Sequence, residues 1–171
     1  NTLNVVRIIN KGENIYLNKN GIKVQLTGQP YTFNIDDELN RSNYIVKDVP
    51  KDVDYAIHMV HGMLLNKPFI RGIPYTLIDD IKDTEADITL AGHYHSGFGI
   101  INTNGKYFVN PGSLIRVTNS LTEIERMPKV AIIDLNENIN IELIELKVAA
   151  QGKDVLDRKE IENHIQDVQI Q

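Results

Sequence analysis

The sequence predicts a strand-rich α/β fold, and three observations predict it. Short runs of apolar and β-branched residues alternate with Gly, Asn and Asp along most of the 171 residues. Asn-Gly pairs separate two sets of these runs, at Asn20-Gly21 and Asn104-Gly105, and this dipeptide favours a tight hairpin because both of its positions tolerate positive φ. Helical spacing is confined to a few short stretches.

The run Val5–Ile9 is apolar and β-branched from the outset, and no initiating Met precedes it. A strand there would need partners on either side, so the chain is expected to be the later part of a longer protein. Strands follow at Asn14–Leu17 and Ile22–Leu26, then a loop from Gly28 to Val53 with at most one helical turn around Asp36–Arg41. Tyr55–Val60 is a mostly apolar run halted by Gly62, as expected of a strand buried on both faces, with His61 at its end. Pro74 is suited to the first turn of a helix through Ile81. Asp87–Ala91 is a further strand, stopped by Gly92. Antiparallel pairs are expected at Gly97–Ile101 with Lys106–Val109, and at Lys129–Leu135 with Ile139–Lys147. Ile161, Ile165 and Val168 place a narrow apolar stripe on a helix over Asp157–Val168. The resulting division is the C-terminal half of a domain over residues 1–147 and a C-terminal extension with a short helix over 148–171.

Composition removes several function classes. No run approaches the ~20 apolar residues of a membrane-spanning helix. The absence of Cys excludes disulfides, thiolate-zinc sites and a Cys nucleophile, and fits a cytoplasmic, reducing location. Any metal must therefore be held by His, Asp, Glu or Asn. A net charge of −5 argues against a broad basic footprint for nucleic acid, although it leaves room for a local groove.

Three of the five His residues lie just past predicted strand ends, in His61-Gly62 and Gly92-His93-Tyr94-His95. A His-x-His pair in a loop can turn both imidazoles toward one region, and neutral imidazole is a common metal ligand. The adjoining glycines permit tight turns where a bulkier residue would obstruct an ion. His58, three residues before His61, points to the opposite strand face and reads as a satisfied core residue. His164 sits among Glu162, Asn163 and Gln166, a solvated position. The carboxylates Asp79, Asp80 and Asp83 read as the polar face of the expected helix rather than a second metal site.

The segment Ile57–Gly62 resembles the fourth motif of the calcineurin-like metallophosphoesterases, an apolar strand ending in His-Gly. Gly92–His95 resembles their fifth, Gly-His-x-His, roughly thirty residues later as in that family. Val109–Arg116 is similar to the Asn-Pro-Gly-Ser stretch that follows the last motif in many members. The likeness spans about Val53 to Leu135.

The resemblance implies part of a two-sheet β-sandwich flanked by helices, with this chain supplying mainly one sheet and with metal ions at the strand ends. It also implies hydrolysis of a phosphomonoester or phosphodiester with two divalent ions, manganese foremost and zinc, iron or nickel as alternatives. His61 and His93 would hold one ion and His95 the other, and Arg116 would contact the substrate phosphate through its planar fork. Gly28–Tyr31 and the Asn-Pro-Gly-Ser run lean toward the DNA repair exonuclease branch, so DNA is an expected partner. A protein or nucleotide phosphatase and a non-catalytic metal-binding interaction module are the alternatives.

Three family motifs, Asp-x-His, Gly-Asp-x-x-Asp and Gly-Asn-His-Asp/Glu, occur nowhere in the chain. In the family these supply the bridging Asp, the Asn ligand and the His that assists the leaving group. Three imidazoles shared between two ions are too few ligands, so the chain alone is expected to be inactive. An N-terminal half on another chain, or self-association, would complete it.

Overall fold

A computed structural model describes residues 7–118 and 120–156. Strand β1 (Asn14–Lys19) turns at Asn20-Gly21 into β2 (Ile22–Gln29), and β3 (Tyr55–Val60) follows after a long loop. Two short strands come next, β4 (Leu64–Leu65) and β5 (Thr76–Leu77), then β6 (Ile88–Ala91), β7 (Gly99–Thr103), β8 (Lys106–Asn110), β9 (Lys129–Leu135) and β10 (Ile139–Glu145). The α-helices among the described residues are short, α1 (Leu121–Glu125) and α2 (Gly152–Val155).

The main sheet has six strands in the order β1-β2-β3-β6-β8-β7. Its four central strands are parallel, and each edge is an antiparallel hairpin. Both Asn-Gly turns adopt the conformation for which the dipeptide is suited, with φ of 53° and 82° at Asn20-Gly21 and 53° and 78° at Asn104-Gly105. Strands β3 and β6 read as mostly apolar because they are covered on both sides. On one face Val24, Ile57, Ile88 and Val109 form a buried cluster, against which Ala131, Ile133, Ile141 and Leu143 of the β9–β10 hairpin pack. On the other face Val60, Ala91 and Phe108 meet Ile35, Tyr44, Leu64, Ile78 and Ile81, which come from the segments that connect the strands of the main sheet. The architecture is a strand-rich mixed α/β one, and the second layer over the sheet is a two-stranded hairpin.

Several local expectations are corrected. The helix expected from Pro74 through Ile81 is instead β5 followed by a 3-10 turn, Ile78–Asp80. Thr76 donates its backbone N–H to Met63 and pairs with Leu64, so tertiary pairing overrides a segment too short to nucleate a helix well. The turn around Asp36–Arg41 is a 3-10 helix extending over Glu38–Tyr44. Helix α1 was not foreseen, although Ser120-Leu121-Thr122-Glu123 carries the Ser-x-x-Glu signal of a helix start, and Ser120 Oγ accepts from the Glu123 N–H. Of Val5–Ile9, residues 7–9 are outside any strand and the rest lie outside the described residues, as does the expected helix over Asp157–Val168.

A polar row crosses the loop-covered face: Thr27, His58 and Thr89 lie in register on adjacent parallel strands. His58 is buried, with Nε2 donating to the Asn43 carbonyl at 3.0 Å and Nδ1 accepting from the Thr27 hydroxyl at 2.8 Å. It is therefore a satisfied core residue, and burial holds its pKa below the usual 6.5. The unfolded chain then binds more protons than the folded one as pH drops past 6.5, so this contribution is complete above that value and lost as pH falls through the lower folded pKa. Urea midpoints measured from pH 7.5 down to 5 should decline for the wild type and decline less for His58→Gln. Parallel curves for the two would show that His58 carries no such linkage.

Candidate metal centre

Because β2, β3, β6 and β8 are parallel, their C-terminal ends open onto one edge of the sheet, the place where open α/β sheets bind ligands. Four loops meet there: Pro30-Tyr31 after β2, His61-Gly62 after β3, Gly92–His95 after β6 and Pro111–Ser113 after β8. The sheet topology thus brings together residues far apart in sequence.

His61 and His93 are neighbours, with ring centroids 5.4 Å apart and planes crossed at 67°. Tyr31 stacks on His93 at 5.5 Å and 21°, and meets His61 edge-on at 6.1 Å. The His61 pKa lies below its ordinary value, first through desolvation and then through the neighbouring His93 and His95. His61 is exposed as a whole, but its Nδ1 edge lies against Gly92, where a Cβ would stand 3.3 Å away. The consequence is a neutral imidazole at pH 7, the form that coordinates a metal.

His93 holds a left-handed backbone, φ 73°, unusual for a side chain with a Cβ and a mark of imposed conformation. An antiparallel bridge joins it to Met63. The Met63 N–H in turn donates to Asp36 Oδ2 at 2.9 Å, while Asp36 Oδ1 accepts from the hydroxyls of Thr76, at 3.0 Å, and Tyr44. Asp36 therefore ties the 3-10 segment, the β4 approach and β5 together beneath the site, a role that sequence spacing did not signal.

The Asn-Pro-Gly-Ser stretch acts as a clamp on the His-x-His loop. Asn110 is buried; its Nδ2 donates to the Tyr94 carbonyl at 3.0 Å and its Oδ1 accepts from the Gly112 N–H at 2.9 Å. Ser113 N–H donates to the His95 carbonyl at 2.8 Å. Gly112 has φ 87°, and a Cβ there would meet the His95 carbonyl oxygen at 2.8 Å, so glycine is required.

Arg116 faces backbone: Nε donates to the Glu123 carbonyl and Nη2 to that of Arg126, each at 2.9 Å. Its neighbour in space, Arg126, was missed by sequence reasoning and has a side chain only 10% exposed. Arg126 Nε pairs with Glu123 at 2.7 Å, and its two terminal nitrogens hold the carbonyls of Ser113 and Ile115. The pairing holds the Glu123 carboxyl below its ordinary range, chiefly through its hydrogen bond with Arg126.

Three imidazoles thus stand at one sheet edge, two of them in contact. The donor set suits a borderline divalent ion, and the neutral state of His61 suits coordination. It is also incomplete: among the described residues no group of three or more His, Asp or Glu side chains is gathered where it could hold an ion. If His61 is a metal ligand, Gly92→Ala should crowd its Nδ1 without straining the backbone, weakening manganese binding by about tenfold with a thermal midpoint within a few degrees of wild type. Unchanged affinity would mean that Nδ1 does not face the metal.

No protein-family model matches the chain, and no curated protein matches it significantly. Among the described residues no helix is long and apolar enough to cross a membrane.

Proposed function

We propose that this chain supplies part of the metal centre of a phosphoesterase that hydrolyses a phosphate monoester or diester. The observation that carries the reading is the contact between His61 and His93 at the C-terminal ends of adjacent parallel strands, with His95 two residues on. The likeness of these loops to the fourth and fifth motifs of calcineurin-like metallophosphoesterases, and their place at one sheet edge, support it together. That family's two-sheet sandwich is the matching finer reading of the fold, with the β9–β10 hairpin as part of its second sheet.

His61 and His93 would hold one divalent ion and His95 a second, manganese being the first choice for a site without sulfur ligands. Ions bound there would supply Lewis acidity toward a phosphoryl oxygen and toward water. The chain's own residues prepare the place. Gly92 leaves His61 Nδ1 unobstructed, the Asn110 and Ser113 hydrogen bonds fix the loop bearing His93 and His95, and Tyr31 limits rotation of the His93 ring. Arg116 would offer Nη1 to a phosphate oxygen, since its other nitrogens are engaged and Nη1 has no hydrogen bond among the described residues. The lean toward DNA as substrate rests on Gly28–Tyr31 and the Asn-Pro-Gly-Ser run.

Among the described residues no carboxylate is gathered with the three imidazoles, and three imidazoles alone cannot complete two metal sites, so the reading calls for further ligands from a companion segment or a second copy. The purified chain should bind manganese yet leave bis(p-nitrophenyl) phosphate unhydrolysed. Turnover by the chain alone would remove the need for a companion. Absence of metal binding would defeat the reading altogether. Binding that persists without turnover in every reconstituted assembly favours the non-catalytic module, for which the incomplete ligand set is the specific support.

A further inference from the structure

Beside His93 lies a cavity of about 320 Å³, and apart from His93 and Tyr31 the metal reading leaves its walls unused. Tyr31, Phe33, Met63, Phe69, Ile73 and His93 supply most of its lining. Two of its rings face solvent to an unusual degree, Phe33 at 84% and Tyr31 at 55%. Large exposed aromatic rings are disfavoured unless something covers them, and single exposed rings call for less explanation than several around one hollow. Tyr31 stacks its face on His93, and Phe69 is held edge-on to Tyr94 at 6.0 Å, so two of the rings are fixed by imidazole-loop residues.

We infer that this cavity is a subsite for a planar aromatic ring carried by the phosphate ester, seated beside the imidazoles. The inference rests on the phosphoesterase reading for the ring's neighbour, the phosphate. The volume suits one ring system of a small ligand rather than a protein segment. Stacking on flat aromatic faces is available to any planar ring. Polar groups in the lining are few. Asp36 already accepts from Tyr44, Thr76 and Met63, which leaves the side-chain amide of Asn34, without a hydrogen bond among the described residues, to pair with a ring edge. Asn34 is exposed and has φ 60°, a conformation Asn tolerates.

The test is equilibrium binding of AMP and of ribose 5-phosphate, which lacks the ring, to the full chain in excess chelator and again in manganese. AMP should bind about tenfold more tightly in both conditions, and Phe33→Ala, at a solvent-facing position, should bring the two ligands within about twofold. Leu39→Ala, exposed and away from the cavity, should leave the ratio as in wild type. Equal binding of the two ligands, or a ratio unmoved by Phe33→Ala, overturns the subsite. Because the chelator arm contains no metal, failure of the metal centre alone would leave the AMP preference standing. A 5′-phosphorylated tetranucleotide separates the sources: tighter binding than AMP identifies a strand end, equal binding a free nucleotide, and either keeps the ring assignment.

Discussion

His93→Gly should lower manganese affinity at least ~100-fold while leaving the fold as stable as wild type or more so. Loss of a direct ligand exceeds the 10–100-fold typical of an outer partner. Glycine is the informative replacement because His93 stands at φ 73°, a conformation glycine adopts without steric cost, whereas alanine would retain the strain. Isothermal titration gives the affinity and a urea melt gives the stability. Free imidazole added to the variant should restore part of the binding. Wild-type affinity in His93→Gly would remove this ring from the metal centre and leave its contact with His61 as packing.

The largest loss of stability is expected from Gly62→Ala. A Cβ at that position would stand 1.9 Å from the Tyr44 hydroxyl oxygen and 2.7 Å from Tyr44 Cζ, distances no side-chain repacking of a few tenths of an ångström resolves. Tyr44 is fully buried, and its hydroxyl donates to Asp36, whose other carboxylate oxygen accepts from the Met63 N–H, so moving the phenol removes one of the bonds that hold Asp36 beneath the site. Overpacking and the lost hydrogen bond together should cost roughly 3 kcal/mol or more. Tyr44→Phe in the same background should recover only part of this, because Cζ remains in the way. Chemical denaturation of the two single variants and the double variant checks the coupling. A Gly62→Ala protein as stable as wild type would show that Tyr44 has another accessible packing. The prediction also gives the glycine of the His-Gly pair an explanation that needs no ion, since the Tyr44 phenol on the core side already demands it.

Strands were the legible part of this sequence because their signals are local. Asn20-Gly21 and Asn104-Gly105 fixed both edge hairpins, and the continuous apolar run Tyr55–Val60 marked a central strand. The strand order was not legible, since placing β6 between β3 and β8 depends on contacts between distant segments. The loops misled in proportion to their tertiary pairing. Pro74 signalled a helix, but Thr76 and Leu77 found partners in Leu64 and Leu65. At the site, the three imidazoles announced themselves through glycine and strand ends. Their supports did not. Asp36 carries no sequence signal because its partners Tyr44, Met63 and Thr76 are spread over the loops, and Arg126 is anchored by carbonyls that no side-chain pattern encodes.

The arrangement of two hairpin edges around a parallel centre sets an order of assembly. Each Asn-Gly hairpin brings together residues close in sequence and can close on the microsecond scale. The pairings β2 with β3 and β3 with β6 close much longer stretches of chain and must come later. His61 and His93 sit at the ends of those late pairings, so the imidazoles meet only after the slowest contacts have formed. If the proposed metal centre forms, a divalent ion present during refolding would bind only the finished sheet edge and draw that step forward by mass action, without speeding the hairpins that precede it.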